Sequence, residues 1–329
     1  MKKGIYLVLI CWPAACGVLE SEEEDVAGHP ASPTVGEYFY ADWGPDDRLA
    51  VIYMQLTEDG ESHHLETRGL YTVGLDGTDL QPVALNSRIT DPVWSPDGEW
   101  IAFSSRGEIF KIRPDGSDLE RLTHEGEAKV GPSWSPDGKW IAYRVIYGPD
   151  KGRGLWIVSA DGKTNRQLQR PPSEEMCLDC PGEVWSIRNG LSWSVNSNEM
   201  VYIAEEYRVG ARHLAVYDTT RARVEFLRKM PASLYNPQFS PDGEQILFYM
   251  APGNDYGFRV GVVNRDGSDL RWLREDAFRA TWSPGGNRIV YRLFSYHPEL
   301  FGQPGYGDLW IMNADGSENR QITFSTGKK

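Results

Sequence analysis

The sequence has no long hydrophobic run and comparatively little positive charge. None of its apolar stretches approaches the roughly 20 residues of a membrane-spanning helix. Its 34 Lys and Arg residues are outnumbered by 47 Asp and Glu residues, which leaves a net charge of −13. Nucleic acids and anionic membrane surfaces bind clustered cations, so this balance argues against both as general partners.

Familiar catalytic motifs are missing as well. The nearest approach to Gly-x-Ser-x-Gly is Gly190-Leu-Ser192-Trp-Ser194, which departs from the motif at its last position. There is no His-Glu-x-x-His, no Walker loop and no Gly-x-Gly-x-x-Gly. His63 and His64 are adjacent in a predicted acidic loop, where neighbouring side chains point to opposite sides and chelate poorly. We therefore expect no catalytic residue, no metal and no cofactor.

Cysteine is scarce, with four in 329 residues. Two lie in the first sixteen residues, which leaves Cys177 and Cys180 as a pair in a predicted insertion over residues 171–183. In an oxidising compartment such a pair favours a structural disulfide. A redox-active Cys-x-x-Cys and one half of a metal site are the alternatives.

The N-terminus has the pattern of a secretory signal peptide. Two lysines precede an apolar stretch over residues 5–12, and small residues then lead to Cys16. The following segment, residues 16–34, contains the acidic run Glu-Ser-Glu-Glu-Glu-Asp and little that could be buried. We expect residues 1–15 to be a signal peptide, residues 16–34 a disordered tether, and the protein to be extracytoplasmic.

The residues around the predicted cleavage site resemble a bacterial lipobox. Ala14-Ala15-Cys16-Gly17 matches it, and this resemblance implies that Cys16 is lipidated and anchors the protein to a membrane of the bacterial envelope. Pro13 stands where the lipobox usually carries Leu, so ordinary signal cleavage is the alternative.

After the tether, one unit of sequence recurs six times. Its first half is an aromatic residue, a turn and an apolar strand, and its second half is an apolar strand, a turn and a short strand. Proline presets φ in such turns and glycine supplies positive φ, so each unit predicts four antiparallel strands. A sheet this small cannot bury both faces alone, and radial stacking of neighbours makes a propeller. The first halves begin at Trp43, Trp94, Trp134, Trp193, Phe239 and Trp282.

The predicted fold class is therefore all-β, a six-bladed β-propeller of four-stranded antiparallel blades within residues 35–325. We expect the ring to close by packing of blade one on blade six, without strand exchange. The predicted blades are about 35–86, 87–127, 128–170, 184–230, 231–275 and 276–325.

The turns carry a family resemblance. Three copies keep Ser-Pro-Asp-Gly intact, at 95–98, 135–138 and 240–243. Together with the repeat they resemble the PD40 units of TolB-like β-propellers, a WD-repeat-like family. The resemblance covers residues 35–325 and does not include the α/β domain that precedes the propeller in TolB. It implies the propeller fold.

The connections between the predicted strands, named A to D from the axis outward, are unequal. The A–B and C–D turns are short and share one face, whereas the long B–C and D–A connections share the opposite face, which we call the mouth face. Because loops on a rigid scaffold commonly carry binding sites, we expect a protein or peptide partner there, with covering of blade edges as the alternative. The aromatic candidates are Tyr147, Trp185, Tyr207, Tyr256, Tyr296, Phe301 and Tyr306.

Polar residues of the A strands are candidates for the lining of the channel mouth. The alternative is that they pair with one another beside water in the channel. These residues are Asp91, Lys129, Arg188, Asn189, Asn236 and Arg279.

Two functions follow from this pattern. The first is a non-catalytic, monomeric, lipid-anchored envelope propeller that docks a protein or peptide. The second is a metal-dependent polysaccharide-lyase-like enzyme, because oligogalacturonate lyases resemble this fold and hold a metal with His ligands. The enzyme hypothesis requires His63 or His64 to lie near His297.

Overall fold

The computed structural model describes residues 34–59, 62–124, 126–146, 154–169, 185–206, 210, 212–227, 230–231, 233–251, 257–293 and 308–323. They all belong to the second of the chain's two units, which spans Pro33–Lys329. Their regular structure is entirely β. Across these ranges, no helix has the length and apolarity needed to cross a membrane.

Six four-stranded antiparallel sheets follow one another along the chain, each with its strands side by side in sequence order. Blades one to three contain β1 Thr34–Trp43, β2 Arg48–Asp59, β3 Ser62–Gly74, β4 Gln81–Ala84, β5 Ile89–Trp94, β6 Ile101–Ser105, β7 Glu108–Ile112, β8 Glu120–Arg121, β9 Lys129–Trp134, β10 Trp140–Val145, β11 Gly154–Ser159 and β12 Asn165–Gln169. Blades four to six contain β13 Trp185–Trp193, β14 Glu199–Glu206, β15 Arg212–Asp218, β16 Arg223–Leu227, β17 Leu234–Phe239, β18 Gln245–Met250, β19 Arg259–Asn264, β20 Arg271–Glu275, β21 Ala277–Trp282, β22 Arg288–Leu293, β23 Leu309–Asn313 and β24 Arg320–Gln321.

The first strand of each sheet contacts the first strands of both neighbouring sheets, and this holds for β21 and β1 too. These six strands therefore surround the central channel, and the predicted six-bladed propeller is confirmed. Strand β1 pairs within its own sheet, and the described strands of blade six all come from the C-terminal part of the chain. The prediction of closure without strand exchange is also confirmed.

The hydrophobic core is divided among the six junctions between blades. Each of six buried clusters joins residues of two neighbouring blades. At the closing junction, Leu49 and Val51 of blade one pack with Val290 and Leu309 of blade six. Strand β6 is buried on both faces along its whole length, and its first three residues, Ile101–Phe103, are accordingly all apolar rather than alternating. Stacking of whole blades, rather than any single sheet, removes this apolar surface from water.

Serine and aspartate hold the A–B turns. In blade two, the Ser95 hydroxyl donates to the Asp97 carboxylate and accepts from the Trp100 amide, while Asp97 accepts from the Glu99 amide at 3.0 Å. Gly98 closes the turn at φ +73°. The divergent copy in blade four forms the same bonds with Asn196 in place of aspartate. The hydrogen-bonding pattern of the turn is thus retained in blade four although its amino-acid sequence differs.

The mouth-face connection of blade one differs from the prediction. Residues 54–69 were expected to form a long loop, but β2 and β3 continue as a hairpin to the pair Asp59 and Ser62. Strand β1 accompanies the hairpin from Thr34 onward. In the first arm, residues 54–57 (Met-Gln-Leu-Thr) alternate between apolar and polar, which is the pattern of a strand rather than of a loop. His63 and His64 therefore lie in a strand, and not in the predicted acidic loop.

Candidate binding site at the channel mouth

The two faces of the propeller differ in the length of their connections. On the face of the A–B and C–D turns, which we call the turn face, all twelve connections have between four and seven residues. On the mouth face they range from one residue, between β20 and β21, to fifteen, between β22 and β23. The length of the connections therefore differs strongly between blades on the mouth face and little on the turn face.

Many of the predicted site residues lie outside the part of the chain that the structure describes. This applies to Cys16, to the Cys177 and Cys180 pair, and to the side chain of Asn189. Of the seven candidate aromatic residues, Trp185 has a described backbone, at the start of β13, and its side chain is not described. The other six lie outside the described residues: Tyr147, Tyr207, Tyr256, Tyr296, Phe301 and Tyr306.

A β-bulge interrupts every inner strand three residues before the aromatic residue that recurs in the six copies of the repeat. At each bulge one residue adopts a left-handed backbone, with φ between 31° and 68°. At Gly190 the neighbouring blade comes so close that a Cβ atom would lie 2.2 Å from Pro237 Cδ, so only glycine fits. The six bulge residues are Tyr40, Asp91, Gly131, Gly190, Asn236 and Arg279. Three of them belong to the predicted channel lining.

Arg279 and Tyr40 meet at the junction of blades six and one. The Arg279 guanidinium lies 3.8 Å from the centre of the Tyr40 ring, a cation–π contact. Within the described ranges, Arg279 forms no hydrogen bond or ion pair.

Arg144 is a buried cation beside the bulge of blade three. It extends from β10 beside Gly131, and its side chain interacts electrostatically with Asp91, Tyr40 and Arg188, residues of three other blades. Burial lowers the pKa of Arg144 to about 10, against the opposing effect of Asp91. Its single hydrogen bond among the described residues is a 3.4 Å contact with the Ile187 carbonyl, and its Nε has no partner there.

Blade six has an arginine in the equivalent position. Arg292 pairs in register with Phe278, as Arg144 pairs with Val130. It lies 4.6 Å from the centre of the Phe39 ring. Burial lowers its pKa to about 10, and the charge of Glu37 opposes that shift. Blades three and six lie opposite each other in the propeller, and each thus contributes one buried guanidinium group.

A charged network joins blades four and five. Glu205 accepts from Arg188 at 2.7 Å and from Arg212 at 2.9 Å. Arg212 in turn lies over the Tyr235 ring at 4.4 Å. The predicted residue Arg188 keeps half of its side chain exposed while forming this ion pair.

Lys129 is engaged in the packing between blades two and three. It is buried and lies 3.2 Å from the carboxylate of Glu108, which also accepts from Arg121 and Thr123. Lys129 therefore has a carboxylate partner within the propeller, as Arg188 does.

Two carboxyl groups of β1 have raised pKa values. Glu37 is 3% exposed, burial raises its pKa to about 7, and Arg292 partly opposes the shift. Burial also raises the pKa of Asp42 to about 7, although Asp42 accepts hydrogen bonds from the Trp94 amide and from Thr281. Both groups lie at the seam where blade one closes the ring.

Sequence reasoning considered the inner strands and missed the charged residues of the second strands. Arg144 and Arg292 each follow a tyrosine at the end of an apolar run, in copies three and six. An arginine recurring where the other copies continue with apolar or neutral residues was the signal that could have revealed them. Tyr40 and Glu37 carried no comparable signal, because β1 has no turn motif before it.

The described side chains contain no group of three or more His, Cys, Asp or Glu residues that could hold a metal ion. The side chains of His63 and His64, and all of His297, lie outside this description. A separate groove of about 1000 Å³ runs between the outer parts of blades four and five. Arg265 bridges it with ion pairs to Glu199 and Glu225 at 2.6 and 3.4 Å.

Comparison with known proteins finds TolB by sequence and by structure, whereas no protein-family model matches. The Tol-Pal system protein TolB of Syntrophus aciditrophicus (strain SB) is 39% identical over 94 residues, 27% of this chain and 19% of that protein. TolB from Acinetobacter baumannii superposes with a TM-score of 0.61 at 16% identity, covering 90% of this chain and 80% of that one. The propeller is TolB-like. The putative TolB from Agrobacterium tumefaciens has a TM-score of 0.59 at 17% identity and covers 89% of both chains.

The same fold also occurs in an enzyme. An oligogalacturonate lyase in complex with manganese has a TM-score of 0.50 at 11% identity, covering 84% of this chain and 90% of that one. At such identity the likeness extends to the arrangement of the blades and not to the chemistry.

Proposed function

We propose that this TolB-like chain is a non-catalytic, monomeric propeller of a bacterial cell envelope, anchored through a lipid on Cys16, which binds a protein or peptide through its mouth face. The similarity to a Tol-Pal system protein supports an envelope role related to that system. The matched segment is 19% of that relative, so the partner is argued from this chain's own surface.

The observation that carries the proposal is the inequality of the two faces. Twelve turn-face connections are alike in length and most are closed by the same side-chain hydrogen bonds. The mouth-face connections vary fifteenfold in length and contain six of the candidate aromatic residues. A scaffold with constant turns on one side and divergent loops on the other is the usual arrangement of binding propellers and sandwiches. Aromatic side chains are also enriched among the residues that dominate protein interfaces.

The test is co-purification of the full chain, carrying a C-terminal tag, from detergent-solubilised envelopes of the native organism. The loop-face variant replaces Tyr296, Phe301 and Tyr306 by Ala. The control replaces three exposed apolar residues of the turn face, Leu119, Val195 and Leu270, by Ala. We expect the same protein with the wild type and the control and its loss with the loop-face variant. Retention by the loop-face variant would contradict mouth-face docking.

The anchor is tested separately with Cys16→Ser. We expect the wild-type protein to partition into the detergent phase and to incorporate labelled fatty acid, because a thioether-linked lipid makes the N-terminus hydrophobic. The Cys16→Ser protein should stay in the aqueous phase. Mass analysis of a non-reduced digest would then show whether Cys177 and Cys180 form the proposed disulfide.

A further inference from the structure

The outer strands of the six blades differ in their suitability for pairing with a further strand. Those of blades two and six have only two residues each. Those of blades one, three and five pair with the third strand of their blade in an interrupted register. Strand β16 of blade four, Arg223–Leu227, pairs with β15 over all five residues without a shift. Since short strands and bulges are devices that protect a sheet edge from pairing, β16 is the described outer strand that lacks both.

The outer edge of β16 is open in the described structure. β16 is the last strand of its sheet, and β15 is its hydrogen-bonded neighbour. Residues 223 and 225 are exposed, residues 224 and 226 are half-buried, and residue 227 is buried. In an antiparallel pair, alternate residues direct their N–H and C=O groups away from the partner strand. A row of backbone donors and acceptors therefore lies along this edge, unused by the described strands.

The side chains of β16 alternate between the two seams that flank blade four. Val224 and Phe226 pack against the buried cluster shared by blades three and four. Leu227 belongs to the cluster shared by blades four and five. Because successive side chains of a strand point to opposite faces, Arg223 and Glu225 lie on the same side as Leu227. A strand added at this edge would meet an apolar row on one face and a charged row on the other.

The charged side of β16 borders the groove of about 1000 Å³ between blades four and five. Arg265 precedes the Asp-Gly of the C–D turn that forms the opposite wall. It donates two hydrogen bonds to Glu199, at 2.6 and 3.0 Å, and lies 3.4 Å from Glu225. At the same position, blades one, three and six have apolar residues that pack against the buried clusters of their seams: Leu75, Ala160 and Ala314. This seam thus combines space and polar walls beside the open edge.

Two opposite charges of β16 are accessible to an added strand. Arg223 is exposed and forms no hydrogen bond or ion pair with the other described residues. The side chain of Glu225 is 61% exposed, so its contact with Arg265 leaves the carboxylate accessible. Directly opposite side chains of antiparallel strands interact, and opposite charges there are favourable. The edge therefore favours a strand with an acidic residue opposite Arg223 and a basic residue opposite Glu225.

We propose that the edge of β16 binds an extended peptide segment of a partner protein, which adds to blade four as a fifth antiparallel strand. From its N-terminus, the segment has an apolar residue opposite Leu227, a basic residue opposite Glu225 and an acidic residue opposite Arg223. The two intervening residues are apolar, because they lie beside Phe226 and Val224. This interaction goes beyond the proposed docking function, since it uses neither the mouth-face loops nor the channel.

The test is fluorescence anisotropy of the labelled peptide Leu-Val-Lys-Val-Glu, with flexible glycine flanks, titrated with the full chain. We expect saturable binding with a Kd below about 1 mM. The charge-swapped peptide Leu-Val-Glu-Val-Lys should bind at least about fivefold more weakly, because both of its charged residues then face like charges. Absence of saturable binding at millimolar concentration, or equal binding of the two peptides, would overturn the proposal.

Two N-methylated peptides test for strand addition itself. One is methylated at the amides of Leu, Lys and Glu, and the other at the amides of the two Val residues. Because only alternate amides of an added strand face β16, one peptide should lose binding and the other should stay within about threefold of the parent. Equal effects of the two sets would contradict pairing through the backbone.

Variants of the full chain locate the edge. The double variant Arg223→Glu with Glu225→Arg should invert the preference between the two peptides. The matched control is Arg271→Glu, at the exposed first position of the outer strand of blade five, which should leave both affinities unchanged. The variant with Ala at positions 296, 301 and 306 should also bind the peptide as the wild type does. Loss of peptide binding in that variant, or an unchanged preference in the double variant, would contradict the β16 edge as the site.

Discussion

The two ends of the inner strands are organised on opposite principles. At the turn end, serine and aspartate repeat the same hydrogen bonds from blade to blade, and these bonds lower the pKa of carboxylates such as Asp137. At the mouth end of the same strands, equivalent positions hold tyrosine, aspartate, glycine, asparagine and arginine. Among the described residues there, the buried guanidinium of Arg144 is incompletely paired.

Within one repeat, the turn end therefore serves folding, and the mouth end is available for recognition. The turn end is the same in each blade because each blade must reverse its chain in the same way. The mouth end is free to differ, since the bulge supplies its backbone geometry whichever side chain occupies it. Costly features that occur in a minority of the blades, such as the incompletely paired guanidinium of Arg144, are those that stability alone does not explain.

The largest effect should come from a turn glycine at the closing seam, Gly77→Ala. A Cβ atom there would lie 2.0 Å from the Ile322 carbonyl oxygen, and φ is +76°. Backbone strain and overpacking together predict a loss of about 3 kcal/mol or more in the free energy of unfolding, measured with urea. The matched control is Gly138→Ala, with φ +69° and no atom within 4 Å of the added Cβ, which should cost about 1 kcal/mol. Equal losses would show that ring closure adds no constraint to the turn end.

The mouth end should make stability depend on pH in an unusual direction. Burial raises the pKa of Glu37 to about 7, whereas in the unfolded chain it is near the ordinary value of 4.5. Between these values the folded state binds more protons than the unfolded state, so the free energy of unfolding falls as the pH rises from about 5 to about 7. The contribution of Glu37 is on the order of 3 kcal/mol.

Glu37→Gln should flatten this profile, because glutamine cannot ionise, and Asp42→Asn should remove the remaining slope. Both profiles are measured by urea unfolding between pH 5 and 8. A turn-end variant, Asp137→Asn, is the control and should leave the slope unchanged, because the pKa of Asp137 is lowered and it titrates below this window. A wild-type profile that rises towards pH 7 would contradict the assignment.

Arg144→Met, at the mouth end, should have only a small effect on the free energy of unfolding. Replacing an incompletely paired buried charge by an apolar side chain of similar volume is often neutral or stabilising. We expect the free energy of unfolding to stay within about 1 kcal/mol of the wild type or to increase. A loss above about 2 kcal/mol would show that Arg144 serves the fold, as Lys129 does through Glu108.

The smallest effect is expected at the aspartate of an A–B turn. Blade four forms the same bonds with Asn196 that blade three forms with Asp137. Asp137→Asn should therefore cost less than about 0.5 kcal/mol, whereas Asp137→Ala, which removes the acceptor, should cost about 1 kcal/mol. If asparagine and alanine cost the same, the side-chain bonds of the turn contribute little.

The repeat made most of the fold predictable. Turn residues such as Ser95 and Asp97 act on their immediate neighbours, and apolar runs such as that of β6 report burial on both faces. The hairpin of blade one was predicted as a loop, because its charged and polar residues, such as Glu58 and Asp59, resemble those of a connection, whereas the structure pairs them in β2 and β3. Of the predicted channel lining, Asp91, Asn236 and Arg279 each lie at a bulge of an inner strand, and their role at the channel mouth stays a prediction.

By itself, the sequence determined the number of blades, their four-strand construction, the turn chemistry and the inequality of the two faces, because all of these follow from local periodicity. The tertiary structure alone decided that Arg279 stacks on Tyr40 and that Arg144 is buried beside Gly131. Residues 40 and 279 are far apart in the chain, and no short-range pattern encodes their meeting. Ring closure brings them together, since burying the last apolar faces of blades one and six requires the two ends of the repeat to pack against each other.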